Sequence, residues 1–323
     1  MIAILPFLLL QGAVPEVSPE ELRRHVTYLA SDELKGRGTP SPELIKASEY
    51  IAAELKKVGV KPGVGESFFQ ETTYKDQPVR NVIGLIPGSD GTLGKEFVIV
   101  SAHYDHLGER PNVAGDDKIF NGANDDASGV AGVLGVAAAL QKAKPKRSVI
   151  LLAFYGEERG MVGSSFYVKN PVFPLRATVA NLNIEQIGRT DDSEGPRVSA
   201  ASLTGFDFST IGETYASVGK ALGVPVTGHP QFSKPYFFAS DNVSFARAGV
   251  PAHTICTAYS FADYHGAADH ADKLDYANMA KITRMIAATT LEIANAPQAP
   301  RWKEDQPMVA KYIEAWKAMQ AEK

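Results

Sequence analysis

The sequence predicts a three-layer α/β/α sandwich around a mixed, mostly parallel central sheet. Three observations carry this. Residues 149–155 form an unbroken apolar run, the signature of a strand buried on both faces of a parallel sheet. Strand-like and helix-like segments alternate along the chain, the order of an α/β fold. Residues 128–140 are so dense in Gly, Ala and Val that a helix there has to lie close against a sheet.

The elements follow in order. Ser18 and Glu21 fit a capping box that opens a helix running to about residue 30. A loop rich in Gly, Pro and Ser, SDELKGRGTPSPE, follows. The next helix covers 42–58, with Leu44, Ile51, Leu55 and Val58 on one face and Gly59 to end it. Strands are expected over 80–86 and 97–102, separated by the turn Pro87, Gly88, Ser89, Asp90, Gly91. After the small-residue helix and the strand at 149–155 come a short helix and a strand over 178–184. Helices over 208–222 and 241–248, a strand over 252–258 and a long helix over 276–294 complete the body. The tail, 306–320, reads as an amphipathic helix packed on it.

Composition bounds what the chain can be. With 323 residues, 44% of them hydrophobic, it can bury one sizeable core. A net charge of −4 with no basic patch gives no reason to expect nucleic acid, and the mild acidity selects no partner. Residues 2–10 form a short apolar run followed by Gln11, Gly12 and Ala13, which resembles the core and cleavage region of a secretory signal peptide. The charged leader that usually precedes such a core is absent. The run is too short to span a bilayer, so stable membrane insertion is not expected. The division is therefore a signal peptide over 1–14 and one domain over 15–323, exported to the periplasm or beyond. Cys256 is the single cysteine, so no intrachain disulfide forms, and it reads as a small buried hydrophobe.

The chemistry gathers where strands should end. Gly156 stops the run at 149–155, and Glu157 and Glu158 follow at once. Adjacent carboxylates at the ligand-binding edge of an α/β sheet repel each other and resist desolvation. A bound cation would resolve that conflict, one glutamate holding it while its neighbour faces the water on it. The plainer alternative is that both carboxylates complement the dipole of the following helix. Four further segments place metal-type ligands at similar positions. FVIVSA leads into His103, with Asp105 two residues on. NGANDDASG holds Asp125 and Asp126 just before the small-residue helix, TVANLNI runs into Glu185, and Tyr264 and His265 stand in DYHGAAD.

Those segments, HYDHLG, GANDDASG, YGEERGMVGS, NLNIEQIGR and DYHGAAD in this order, resemble the motif set of the co-catalytic di-zinc aminopeptidases, metallopeptidase family twenty-eight. YLASDELKGRGTPSPE is similar to the amino-terminal lead of bacterial exported members. The resemblance implies a zinc-exopeptidase, phosphorylase/hydrolase-like version of the sandwich and two Zn²⁺ ions, though such sites take other divalent ions. It makes Asp125 the bridging carboxylate, with His103 and Glu185 completing one ion's protein ligands and Glu158 and His265 the other's. Glu157 matches the general base, Asp105 the group behind His103, and Tyr264 the donor beside the reacting carbonyl. The implied reaction is release of amino-terminal residues from peptides through a metal-bridging hydroxide. Two departures stand out. Many relatives have Asp where this chain has Glu185, and Ala239 and Asn242 sit where relatives often show an arginine and a histidine.

Three ligating carboxylates against two divalent cations, with one hydroxide, sum to neutrality, which makes burial of such a cluster tolerable. Alternatives remain open at this level: a single-zinc glutaminyl cyclase, a carboxypeptidase, or a receptor or scaffold that keeps the fold without the chemistry. His25, His229, His253 and His270 read as surface or hydrogen-bonded histidines. His106 reads as a possible support in the metal loop, Asp126 as a helix cap, and Asp269 as a brace for the loop carrying His265 or a plain cap. Arg37 reads as a former of salt bridges, and Trp302 and Trp316 as packing residues.

Overall fold

A computed structural model describes residues 14–321. The signal-peptide segment expected over 1–14 therefore falls, all but its last residue, outside the described residues.

Nine strands make the main sheet among the described residues. They are β1 (Lys61–Pro62), β2 (Phe69–Tyr74), β3 (Gln77–Ile86), β4 (Phe97–His103), β5 (Ser148–Phe154), β6 (Thr178–Ile184), β7 (Ala201–Leu203), β8 (Val226–Thr227) and β9 (Ala252–Cys256). Their spatial order is β1-β3-β5-β4-β6-β9-β7-β8, with β2 paired to the other end of β3. The middle four, β5-β4-β6-β9, are parallel, while β3 and β7 flank them antiparallel. This is the mixed, mostly parallel sheet expected.

Eight helices cover it: α1 (Pro19–Leu29), α2 (Pro42–Lys57), α3 (Ser128–Ala143), α4 (Val162–Lys169), α5 (Ile211–Leu222), α6 (Asn242–Arg247), α7 (Tyr276–Asn295) and α8 (Ala310–Ala321), with a further single turn at Ser233–Tyr236. The pattern of β5 shows why its sequence has no polar position. Val149, Leu151 and Ala153 enter one core, shared with α1, α2, α3, α5 and α7, whereas Ile150, Leu152 and Phe154 enter the other, shared with α4, α6 and α8. Each face of the strand meets its own helical layer, so both must be apolar.

Local signals act as their chemistry requires. Ser18 Oγ accepts the Glu21 N–H at 3.2 Å and caps α1, while Ser41 Oγ accepts the Leu44 N–H at 3.0 Å and caps α2. Glu21 does not return a bond to Ser18, because it pairs with Arg24 at 2.8 Å. The small residues of α3 permit close contact on two sides. A Cβ at Gly132 would lie 2.9 Å from Ile187 Cδ1, and one at Gly135 would lie 2.8 Å from Thr283 Cγ2 on α7. The tail helix α8 is present, with Tyr312 buried in the second core and the Gln320 side chain donating to the Arg176 carbonyl at 3.0 Å. Cys256 is buried and unpaired. Trp302 is buried and donates to the Gly249 carbonyl at 2.8 Å, whereas Trp316, expected as a packing residue, is exposed. No helix among the described residues is long and apolar enough to cross a membrane.

Candidate metal centre

The carboxyl ends of the parallel strands deliver the site. His103 is the last residue of β4, Glu157 and Glu158 follow β5 after Tyr155 and Gly156, and Glu185 follows β6 directly. Asp125 lies in the turn Ala123–Ala127 leading into α3, and His265 in the loop after β9. Ligands of open α/β sheets bind at this edge.

Asp125 is the pivot. Its Oδ1 lies 3.2 Å from His103 Nε2 and its Oδ2 lies 3.1 Å from His265 Nε2. Glu185 Oε1 stands 3.8 Å from the same His103 nitrogen, and Glu158 Oε1 stands 3.3 Å from the same His265 nitrogen. One carboxylate thus faces two separate donor sets, one through each oxygen. Two donors bound tetrahedrally to one zinc at about 2.1 Å would sit about 3.4 Å apart, close to these spacings.

The cluster is electrostatically unbalanced as a set of protein groups. Burial pushes the Glu157 carboxyl well above the usual range, with His103 acting against it and Glu185, Asp241 and Glu158 adding to it. Burial likewise raises Glu185 to about 7. Burial would raise Asp125 too, but His103 and His265 hold it well below the usual range. Glu158 is held at about 2 because His106 and His265 outweigh its burial. Asp125 and Glu158 in turn push the His265 imidazole up to about 10. Three imidazoles, His103, His106 and His265, carry the compensation for a larger number of carboxylates. Glu158 Oε1 and both oxygens of Asp241 are buried without a hydrogen-bond partner. Orphaned carboxylate oxygens beside imidazoles fit divalent cations with a preference for nitrogen and oxygen, zinc among them.

The supports are as specific as the donors. His103 Nδ1 donates to the main-chain carbonyl of Asp105 at 3.1 Å, which turns Nε2 toward Asp125. The Asp105 carboxylate, 3.6 Å from that nitrogen, accepts instead from Glu157 N and from Thr39 Oγ1, each at 3.0 Å. It therefore ties the β4 and β5 loops to the amino-terminal GRGT loop. Asp126 Oδ1 accepts from Gly129 N at 3.0 Å, capping α3, and from Gln186 N at 3.1 Å. Tyr264 stacks on His265 with ring centroids 4.1 Å apart, and both line a cleft of about 280 Å³ with His103, Glu157, Glu185 and Tyr236. His265 itself holds φ at +53°, a left-handed conformation that costs a non-glycine residue on the order of 1 kcal/mol.

Two expectations change. Among the described residues Arg37 makes no salt bridge: it is fully buried and donates to the carbonyls of Tyr104 at 2.8 Å, Asn121 at 2.7 Å and Gly122 at 2.9 Å, and to that of Leu29. Its position pins the HYDHLG and NGANDD loops together. Asp269 braces the Asp125 turn: its Oδ2 accepts from Asn124 N at 2.9 Å and from Asp125 N at 3.1 Å. Ser240, missed in the sequence, donates to Glu185. The Ser-Asp pair in FFASDN was the signal available for it. Thr39 had no such signal, since its partner lies 66 positions away. The remaining histidines have local partners: His25 meets Tyr50 Oη at 2.9 Å, His229 Nδ1 accepts from Gln231 N and Phe232 N at 3.1 Å each, His253 meets Ser209 at 2.6 Å, and the more exposed His270 lies 3.4 Å from Asp117.

The model of peptidase family M28 matches residues 81–290, more than half of the chain. The chain belongs to that family. Among relatives of this M28 chain, the uncharacterized protein YfbL of Escherichia coli is 28% identical over 291 residues, covering 82% of this chain and 85% of YfbL. Aminopeptidase YwaD of Bacillus subtilis is 28% identical over 201 residues, covering 60% of this chain and 40% of YwaD. Among solved structures, the Legionella pneumophila LapA aminopeptidase superimposes with a TM-score of 0.71 at 18% identity, covering 92% of this chain and 78% of LapA. That likeness is one of fold. It places the α/β sandwich described above alongside that of a solved aminopeptidase.

Proposed function

We propose that the chain is a two-zinc aminopeptidase that removes amino-terminal residues from peptides. The carrying observation is Asp125, whose two oxygens face His103 with Glu185 on one side and His265 with Glu158 on the other. Membership of a peptidase family and the names of the relatives YwaD and LapA support the same reading.

When bound, the ions supply Lewis acidity for the scissile carbonyl and lower the pKa of the attacking water. The protein groups do the rest. Glu157, whose carboxyl burial pushes well above the usual range and which lines the cleft beside the donors, accepts the proton of the water and passes it to the leaving amine. Tyr264, which lines the same cleft, donates its hydroxyl hydrogen to the oxygen that gains charge. The carboxylates around the cleft attract a free α-ammonium group, which selects the amino-terminal end of a peptide. Two donor sets around one carboxylate favour two ions over the single ion of a cyclase. The apolar segment 2–10 supports export as the route to such substrates.

The test is turnover of an amino-acid nitroanilide panel by the full chain, with chelator and with zinc restored, alongside metal analysis. Release of nitroaniline, its loss on chelation, recovery with zinc and two ions per chain are expected. Glu157→Gln should keep both ions and lower kcat by about 10²–10⁴-fold. Unchanged turnover in that variant would refute the assigned base, and one ion with pyroglutamyl product from glutaminyl peptides would favour the cyclase.

A further inference from the structure

His106 belongs to the HYDHLG segment, but neither donor set above includes it. The ring is fully buried. Gly122 makes room for it: a Cβ at that position would lie 2.4 Å from His106 Cγ. The His106 main-chain N–H donates to the Arg37 carbonyl at 3.3 Å, so both backbone and ring are held.

Its nitrogens are nevertheless unpartnered, both Nδ1 and Nε2 lacking a hydrogen bond among the described residues. Nδ1 stands 2.9 Å from Glu158 Oε1, which also lacks one. That separation is within hydrogen-bond reach, yet neither atom has a hydrogen-bond partner. Two buried polar atoms this close, and not bonded to each other, are arranged like two donors aimed at a common third point. A wider set of distances locates that point. Nδ1 is 3.8 Å from Asp125 Oδ2, while His265 Nε2 is 3.1 Å from that oxygen and 3.3 Å from Glu158 Oε1. His106, Asp125 and Glu158 offer donor atoms that all lie within 4.8 Å of one another. The planes of the His106 and His265 rings are inclined at 66° to each other, with centroids 5.8 Å apart. Four separations among these four donor atoms, 2.9, 3.1, 3.3 and 3.8 Å, bracket the about 3.4 Å expected around tetrahedral zinc.

We propose that His106 Nδ1 is a fourth protein donor to the ion on the Glu158–His265 side of Asp125, which rests on the two-ion reading above. The two positions then differ in kind. The side with His106 has Asp125, Glu158, His265 and His106, close to the closed shell of a structural site, whereas the other has Asp125, His103 and Glu185 and an open position. The first ion is retained and the second exchanges.

The experiment uses the full chain with ¹⁵N-labelled histidine, loaded with ¹¹³Cd²⁺. Long-range proton–nitrogen spectra should show a one-bond cadmium coupling at His106 Nδ1 as well as at His103 and His265, with the His106 signal assigned by its loss in His106→Gln. A hydrogen-bonded support beside the metal cannot produce that coupling. Timed removal by chelator should show two phases in the wild type, the slow one accelerated at least about tenfold in a folded His106→Gln. Coupling at His103 and His265 but not at His106 overturns the proposal and leaves the aminopeptidase reading standing. Absence of coupling at all three, with no zinc or cadmium uptake by mass, means that the two-ion reading has failed and this proposal with it. Should His106→Gln not fold, selective labelling assigns the wild-type signal and the coupling decides alone.

Discussion

Asp269→Asn removes one charge and almost no volume from a residue that touches no proposed metal position. Asp269 is fully buried, and its carboxylate accepts the Asn124 N–H at 3.1 Å and 2.9 Å and the Asp125 N–H at 3.1 Å. Bonds to a charged acceptor contribute about 1.5–3 kcal/mol each, and neutral ones about 0.5–1.5 kcal/mol. Exchanging the first kind for the second at two N–H donors costs about 2–3 kcal/mol, and the amide NH₂ must also face an N–H or turn away. The loss falls on the turn that aims Asp125 at both donor sets. Zinc affinity should therefore drop about 10–100-fold, the range typical of groups that orient ligands. Competition against a chromophoric chelator measures this, and urea unfolding with zinc and with EDTA separates the loss in binding from the loss in folding. Zinc affinity and unfolding midpoint both at wild-type values would refute the idea that Asp269 sets the Asp125 turn.

The small-residue face of α3 gives a paired prediction. Gly132→Ala should be close to neutral, because its Cβ meets the mobile end of Ile187 and Ala gains about 1 kcal/mol of helix propensity. Gly132→Val should cost about 1–3 kcal/mol by overpacking, read as a lower unfolding midpoint. Acid stability should depend on His253, whose imidazole is pushed down to about 4 by burial, with the Thr204 carbonyl acting weakly against it. Its Nδ1 donates to that carbonyl at 2.8 Å, so Nε2 accepts from Ser209 in the neutral ring. As pH falls, the unfolded chain takes up the proton first, near 6.5. The contribution is full above that pH and is lost on the way down through about 4, on the order of 3 kcal/mol in all. Urea titrations at pH 7 and pH 4.5 should show His253→Asn losing less stability over this interval than the wild type, and equal losses would count against it.

Much of this architecture is legible from local pattern. β5 is readable because both its faces meet helices, so nothing polar interrupts it. The helices α1 and α2 are readable because Ser18 and Ser41 sit where a cap must be. β2 is not: FQETTY mixes polar and apolar residues, and it becomes a strand by pairing with β3 from Phe69–Val82 to Tyr74–Gln77. β7 and β8, three and two residues long, exist only as partners of β9 and of each other.

At the site, local sequence is enough to name the available groups: imidazoles and carboxylates placed at or just beyond strand ends, each recognisable within a few residues of its neighbours. How they are aimed depends on the packed fold. Glu185 meets Ser240 across 55 positions and Asp269 meets Asp125 across 144, contacts that sheet order and loop packing create. Arg37 shows the same limit, because a guanidinium written into a polar loop ends up buried against four carbonyls. A side chain's type is a local property, but its hydrogen-bond partners depend on which chain segments share a volume. That is why the ligand types could be read in order, while the orientation of Asp125 and the role of His106 required the fold.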